Sequence, residues 1–258
     1  MKIDRVILSS NFNPTYYHFW NPLSKVYKEK FGINPTLVWV GTKEEAKEAG
    51  ISDQYGDIIY AEADENHRIP WQTTWALFWA TQFYPKDTCI IMGIDQVPLS
   101  RMFFDKVRDL YDTEYAMLIA DAYLPHYWTS TASPSSYHVA KGETFMRIYD
   151  FKPTLKEEVN KVLESGAKGF WDDNIDNWGI DESYSCAVLR NQRYSRVVCF
   201  NDFSQLCERR VECERHKETP YDIQKMLSGW YSECHMPRPF TNHVKYLTEM
   251  FDNIPNCK

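Results

Sequence analysis

The chain opens with a regular exchange of apolar runs and amphipathic segments, and this exchange restricts its fold more than any other feature. Residues 5–9 read as a strand. Residues 22–31 follow as a helix, with Leu23, Val26 and Tyr27 at helical spacing and Gly32 as the stop. Residues 35–41 are a second apolar strand, 43–49 a short polar helix closed by Gly50, and 57–61 a third strand. An aromatic-rich helix over 71–83 ends at Tyr84-Pro85, and 89–94 form a fourth strand. Alternation of this kind predicts right-handed crossovers and helices on both faces of a sheet. The expected class is α/β, a Rossmann-like domain with a mixed, mostly parallel sheet.

Past residue 100 the pattern predicts a helix over 102–110 and a strand over 116–120. The segment 125–136, rich in aromatics, Ser, Thr and Pro, reads as a loop of the kind that carries function. Residues 137–140 read as an edge strand. Thr154 is placed to cap a helix over 155–164 that carries Leu155, Val159, Val162 and Leu163. A helix over 181–190 and a strand over 196–200 follow. Beyond Ser204 the pattern weakens into helices and loops of a C-terminal tail. No repeat or low-complexity linker interrupts the chain, so 1–258 is expected to be one domain.

The bulk numbers remove several classes. Net charge is -7, and no Lys/Arg block is present of the sort that tracks a phosphate backbone, which argues against nucleic acid as a partner. No apolar run approaches the roughly 18 residues of a membrane span. The N-terminus enters a strand directly without a signal-peptide core, so the cytoplasm is the expected compartment. The 7 Cys include no CxxC pair, which favours free thiols over a zinc module. Aromatics make up 16% of the chain, a content that fits stacking on sugars and fits equally a core of large side chains.

Five constellations carry possible chemistry. The strand at 89–94 runs into Asp95, so the fold would deliver Ile94 and the Asp95 carboxylate to the sheet edge where open α/β proteins bind ligands. A carboxylate there suits a hard divalent cation holding a phosphate, or simply caps the next turn. Ser9, Ser10 and Asn11 follow the first strand and could bind a base or ribose, with Tyr16 stacking on it; there is no GxGxxG fingerprint. Arg68 and Gln72 open the aromatic helix, where a cation can meet a phosphate near a helix N-terminus. Asp181 and Glu182 begin a later helix. The helix dipole alone favours acids there, and a carboxylate there could also act as a general base or face an anomeric carbon. Successive helical residues point about 100° apart, so only one of the two can face a substrate. Last, His235 and Arg238 share a Pro-stiffened loop, an imidazole to ligate a metal and a guanidinium to neutralise phosphate.

Together these segments resemble GT-A-fold nucleotide-sugar glycosyltransferases, and are similar to the capsid-glycan glycosyltransferases of large algal, chlorella-type viruses. The resemblance rests on Ser9-Ser10-Asn11 with Asn13-Pro14-Thr15-Tyr16-Tyr17-His18-Phe19-Trp20, on Pro35-Thr36-Leu37-Val38, on Ile94-Asp95-Gln96-Val97-Pro98-Leu99-Ser100, and on Tyr137-His138-Val139-Ala140-Lys141-Gly142-Glu143-Thr144-Phe145. Trp178 to Glu182 and His235 to Arg238 fit the later elements. Many members carry Asp-x-Asp where this chain has Gly93-Ile94-Asp95, so the first acid is missing. The resemblance implies a GT-A-like domain with a nucleotide-binding half over 1–100 and an acceptor half with a tail over 101–258. It implies transfer of a sugar from a nucleotide-diphosphate sugar of UDP or GDP type to a hydroxyl of a glycan acceptor, in the host cytoplasm if the source is viral. Asp95 and His235 would hold Mn²⁺ or Mg²⁺, the imidazole favouring Mn²⁺. Ser9, Ser10, Asn11, Tyr16, Arg68, Gln72, Ile94 and Arg238 would bind the donor, and Asp181 and Glu182 would be catalytic. A sugar nucleotidyltransferase or a non-catalytic glycan-binding protein are the alternatives.

Overall fold

In the computed structural model, which describes residues 1–119, 132–169, 179–192, 196–200, 208–213 and 216–257, the strands are β1 (Arg5–Asn11), β2 (Asn34–Val40), β3 (Asp57–Ala61), β4 (Thr88–Ile91), β5 (Gln96–Pro98), β6 (Tyr115–Met117), β7 (His138–Lys141), β8 (Val197–Cys199), β9 (Arg210–Glu212) and β10 (Glu233–His235). Seven of them form one sheet in the order β3-β2-β1-β4-β7-β6-β8. Neighbours are parallel except at β7, which runs antiparallel to both β4 and β6. This is the mixed, mostly parallel sheet of the expected class; the alternation by itself predicts only the parallel strands. β1 is apolar on both faces because both are covered: Val6 and Leu8 join one hydrophobic cluster and Ile7 the other.

The helices that matter for the site are α1 (Trp20–Val26), α2 (Lys43–Glu48), α3 (Ile69–Trp79), α4 (Met102–Lys106), α5 (Gly142–Tyr149), α6 (Leu155–Glu164) and α7 (Ile180–Arg190). α1 widens into a π turn over Tyr27–Phe31, and Gly32 ends it at a φ of 68°. Thr154 caps α6 as expected, with Glu157 completing a reciprocal capping box. α3 packs on β1 and β2. Its Trp71, Trp75 and Phe78 are fully buried, and the Trp75 ring stacks on Phe78 at 4.8 Å and meets Tyr149 and Tyr184 edge-on. Much of the aromatic content therefore builds core.

Four expectations need correction. Residues 137–140 are not an edge strand: β7 is laddered on both sides, and Val139 and Ala140 are completely buried. β4 stops at Ile91 rather than Ile94, because Gln96 N–H closes a turn onto the Gly93 carbonyl at 3.1 Å and sends the chain out of the sheet. The helix after Asp95 is shorter than 102–110, ending at Lys106. The C-terminal region is not only helices and loops. Its β10 pairs with β5 and β9 in a second, three-stranded sheet. Strands of three residues are too short for alternation to show in a sequence.

Part of the expected 125–136 loop, Trp178 and Cys207 lie outside the described residues. Among the described residues no helix is long and apolar enough to cross a membrane, and the cysteines are free thiols.

Gly142 starts α5 by donating its N–H to the Asp87 carbonyl at 3.0 Å. A Cβ there would lie 2.2 Å from the Tyr84 carbonyl oxygen and 2.6 Å from that of Thr81, both backbone atoms that cannot rotate away. Gly142→Ala is therefore expected to lower stability by about 1–3 kcal/mol. Urea unfolding with an unchanged m-value checks this, and an unmoved midpoint would show that the turn yields freely.

Candidate active site

A cleft of about 420 Å³ opens at the carboxyl ends of β1 and β4, the position where open α/β sheets bind ligands. Ser9, Ser10 and Asn11 enter it from the end of β1, and Ile94 and Asp95 from the turn that leaves β4. Tyr16, Glu182, His235 and Arg238 also line it, so the fold gathers nine of the twelve anticipated side chains around one space. Thr73, Thr74 and Leu77 of α3 form one wall, and Thr73 Oγ1 accepts from the Asn11 side chain at 3.2 Å.

Three anticipated residues stand elsewhere. Gln72 is fully buried, and its carboxamide is held by the backbone: Oε1 accepts from Asp64 N, and Nε2 donates to the Asp64 and His67 carbonyls. It clamps the loop before α3 and does not reach the cleft. Arg68 is exposed at the cap position of α3 and is not among the lining residues. Asp181 lies behind the wall, 2% exposed, while its neighbour Glu182 reaches the cleft. That split follows from the helical turn between successive side chains.

The charged floor is a chain of contacts centred on Asp95. His235 Nε2 lies 3.2 Å from Asp95 Oδ2, and Arg238 Nη1 is also 3.2 Å from the same oxygen. The other imidazole nitrogen, Nδ1, lies 3.0 Å from Glu212 Oε1 on β9. Arg238 donates to the Tyr16 hydroxyl, its guanidinium carbon 5.3 Å from the Tyr16 ring centre. Burial works to raise the Asp95 pKa, but the His235 hydrogen bond and the positive charges of His235 and Arg238 outweigh it and hold the carboxyl below its ordinary value. Burial works to lower His235, and the two carboxylates overcome it and lift the imidazole to about 9.

A second cluster carries the acids of α7. Ser135 Oγ lies 2.5 Å from Asp181 Oδ2 and 3.2 Å from Glu182 Oε1. Burial drives Asp181 up to about 6, against the Ser135 hydrogen bond and the backbone N–H groups at the helix start. Ser133 N–H donates to the Glu182 carbonyl at 3.2 Å, which ties this segment to α7. Behind it His138 donates from Nε2 to the Pro134 carbonyl and accepts at Nδ1 from Tyr115 at 2.7 Å. Burial pushes His138 down to about 4, so it stays neutral and suited to both roles. Tyr115 meets the Tyr149 hydroxyl at 3.1 Å, which meets Ser185 of α7 at 2.8 Å. A buried polar chain thus sets Ser135 against the two acids.

Asp95 and His235 fit a divalent metal as a two-ligand set. Donor atoms of two adjacent ligands on one ion, each at about 2.0–2.6 Å, lie roughly 3 Å apart, and the Asp95–His235 separation is 3.2 Å. Glu212 on the far nitrogen supplies the carboxylate that commonly orients a ligating imidazole. Among the described residues no group of three or more His, Cys, Asp or Glu is arranged to hold a metal, so other positions would fall to ligand oxygens and water. The place of the absent first acid is filled: Gln96 Oε1 accepts from Gly93 N–H at 3.0 Å and would lie 2.9 Å from a Cβ at Gly93. Sequence reasoning missed Ser135, Glu212 and Gln96 as members of the site. Ser135 lay in a loop already flagged as functional, whereas Glu212 carried no local signal.

Without metal, the Asp95–His235 ion pair makes a pH-dependent contribution to stability. A histidine raised in the folded state stabilises fully below its unfolded pKa of about 6.5, and the effect is lost as pH rises through the folded value. Asp95, lowered in the folded state, contributes above the ordinary carboxylate range and loses its part in acid. In chelator-treated protein, the stability gap between parent and His235→Gln should be widest between roughly pH 4 and 6.5 and fade toward about 9. Urea midpoints across that range check it, and a gap independent of pH would exclude a charged pair.

No protein-family model matches the chain, and no curated protein matches it. Solved structures do. The galactosyltransferase LgtC, crystallised with donor and acceptor sugar analogues, superposes with a TM-score of 0.50 at 11% identity, over 97% of this chain and 96% of that one. The glycosyltransferase GlyE of Streptococcus pneumoniae TIGR4 superposes with a TM-score of 0.45 at 10% identity over 99% of this chain and 52% of its own. The bifunctional glycosyltransferase WbbM does so at 0.46 and 13%, over 98% and 50%. The chain spans about half the length of GlyE and WbbM. The likeness to LgtC, together with the seven-stranded mixed sheet, shows a GT-A-like fold.

Proposed function

We propose that this chain is a glycosyltransferase that moves a sugar from a nucleotide-diphosphate sugar to a hydroxyl of a glycan, assisted by Mn²⁺ or Mg²⁺. The observation that carries the reading is the presence in one cleft of both the Asp95–His235–Arg238 cluster and the Glu182 carboxylate. A cation-bearing cluster suits a diphosphate, and a further carboxylate lining the same cleft suits the sugar end. The GT-A-like fold and the resemblance of four segments to the algal-virus enzymes support the same assignment.

In this reading Ser9, Ser10 and Asn11 contact the nucleoside at the end of β1, with Tyr16 beside them. Arg238 turns its charge to the diphosphate. A metal held by Asp95 and His235 would offset the charge that builds on the departing diphosphate. The bond from the anomeric carbon to the diphosphate oxygen breaks, the electron pair leaves with the diphosphate, and the acceptor oxygen forms the new bond. Glu182 offsets positive charge at the anomeric carbon and is placed to accept the acceptor's hydroxyl proton. Gln72 is left to its structural clamp, and Arg68 stands outside the cleft.

Two measurements test the reading. UDP or GDP with Mn²⁺ should raise the melting temperature, by linkage equivalent to roughly 2.7 kcal/mol at about 100 times Kd. Asp95→Asn should remove the metal-dependent part of that shift, each variant being read against its own ligand-free melt. No shift with any nucleoside diphosphate would defeat the assignment. In transfer assays Glu182→Gln should lose about 10²-fold or more while still binding donor. Asp181→Asn, behind the wall, should lose far less; the reverse order would displace Glu182 from its role.

A further inference from the structure

We propose that Ser135 is a positioning residue that couples the protonation of buried Asp181 to the hydrogen bonding of Glu182 at the cleft. With Asp181 protonated, its O–H donates to Ser135 Oγ and Ser135 donates its own proton to Glu182 Oε1. With Asp181 ionised, the Ser135 proton turns to the nearer Asp181 oxygen and Glu182 is released as a freer base. The effect on catalysis rests on the glycosyl-transfer reading; the coupling itself does not.

The argument begins from proton count. A serine hydroxyl has one proton and two lone pairs. Its oxygen touches two carboxyl groups, Asp181 at 2.5 Å and Glu182 at 3.2 Å. With both acids ionised the single hydroxyl proton must be shared or must choose between them, whereas two full hydrogen bonds need a carboxyl to bring a second proton. Asp181 is the deeper acid, 2% exposed against 7% for Glu182, so desolvation places that proton on Asp181. The shorter of the two contacts, 2.5 Å, is the one to Asp181, so a proton stands between these two oxygens in either ionisation state. The lift of Asp181 to about 6 agrees with the geometry.

Among the described residues, the elements packed against α7 bring little competing charge. α3 packs against α7 and has no titratable side chain. α5 also packs against α7, and turns its Glu143 and Arg147 to solvent while presenting the neutral Tyr149 to Ser185. His138, which holds Pro134, is neutral above about 4. Asp95, His235 and Arg238 line the same cleft but hydrogen-bond among themselves and to Glu212 and Tyr16. Ser135 also cannot simply drift away, because Ser133 is tied to the Glu182 carbonyl and Pro134 to His138.

The test reads the carboxyl directly. Protein carrying ¹³C-labelled Asp carboxyls is titrated by NMR, and the Asp181 resonance is assigned by its loss in Asp181→Asn. It should titrate near 6 in the parent and move upward in Ser135→Ala, which removes a hydrogen bond that favours the ionised form; Ser135→Thr should restore it. In transfer assays the parent should show an acid limb near that value. Asp181→Asn, whose amide donates permanently to Ser135, should lose that limb and run at the parent's acid-side rate, a partial loss smaller than that of Glu182→Gln. Ser135→Ala should shift it with donor KM unchanged. Asp181 titrating in the ordinary range near about 4, or unmoved by Ser135→Ala, would overturn the proposal. If Ser135→Ala does not fold, a parent-like limb in Asp181→Asn overturns it equally. A coupled titration in a protein that transfers no sugar would leave the coupling standing and sink the glycosyltransferase reading instead.

Discussion

The turn at Gly93–Gln96 is the constraint on which the site depends. β4 is a buried strand, and this turn takes the chain from its end straight into β5 of the second sheet. Gly93 N–H is satisfied by the Gln96 side chain, and the Asp95 carbonyl accepts from Met236 N at 2.8 Å. One short segment therefore joins the main sheet, the small sheet and the loop that carries Arg238. His235 reaches Asp95 because β10 pairs with β5 in a register that sets His235 opposite Gln96. A close approach of side chains 140 positions apart is thus a consequence of strand pairing.

The two walls of the cleft are held by different physics. The Asp95 wall is electrostatic: Asp95 and Glu212 alternate with His235 and Arg238, each charge offset by a neighbour. Such an array tolerates a partly buried position because every charge is paired. The Glu182 wall stands on packing and neutral hydrogen bonds. Trp75, Phe78 and Tyr149 fill the space behind it, and His138, Tyr115, Tyr149 and Ser185 are linked by hydrogen bonds within that core. A buried chain of linked hydrogen bonds favours one arrangement of the side chains in it. It leaves Glu182 as the acid of α7 that reaches the cleft.

Asp181 and Glu182 show how adjacent residues acquire different chemistry. They share a helix end and a serine, yet one faces the cleft and the other is sealed behind it. The difference comes from helical phase, which the sequence shows, and from which side of α7 meets the core, which it does not. Gln72 illustrates the opposite case. It stands at the head of a helix beside the cleft and is nevertheless turned inward to close a loop.

Local pattern was enough for much of the architecture. The alternation through residue 100, the stop at Gly32, the Thr154 cap and the helix beginning near Asp181 all appear in the sequence, because each depends on interactions within a few residues. Asp95, His235, Arg238 and Glu182 were recognisable as candidates from residue type and spacing. What only the tertiary structure decided was direction and company. Three-residue strands such as β9 and β10 carry no readable period, so the small sheet and the place of Glu212 were hidden. β7 is antiparallel and central because of its partners on both sides, a long-range pairing that its own residues do not announce. Ser135 gained its role from a contact across 46 positions. Short-range propensity writes elements into a sequence, whereas the choice of which side chains share one space is made by packing those elements together.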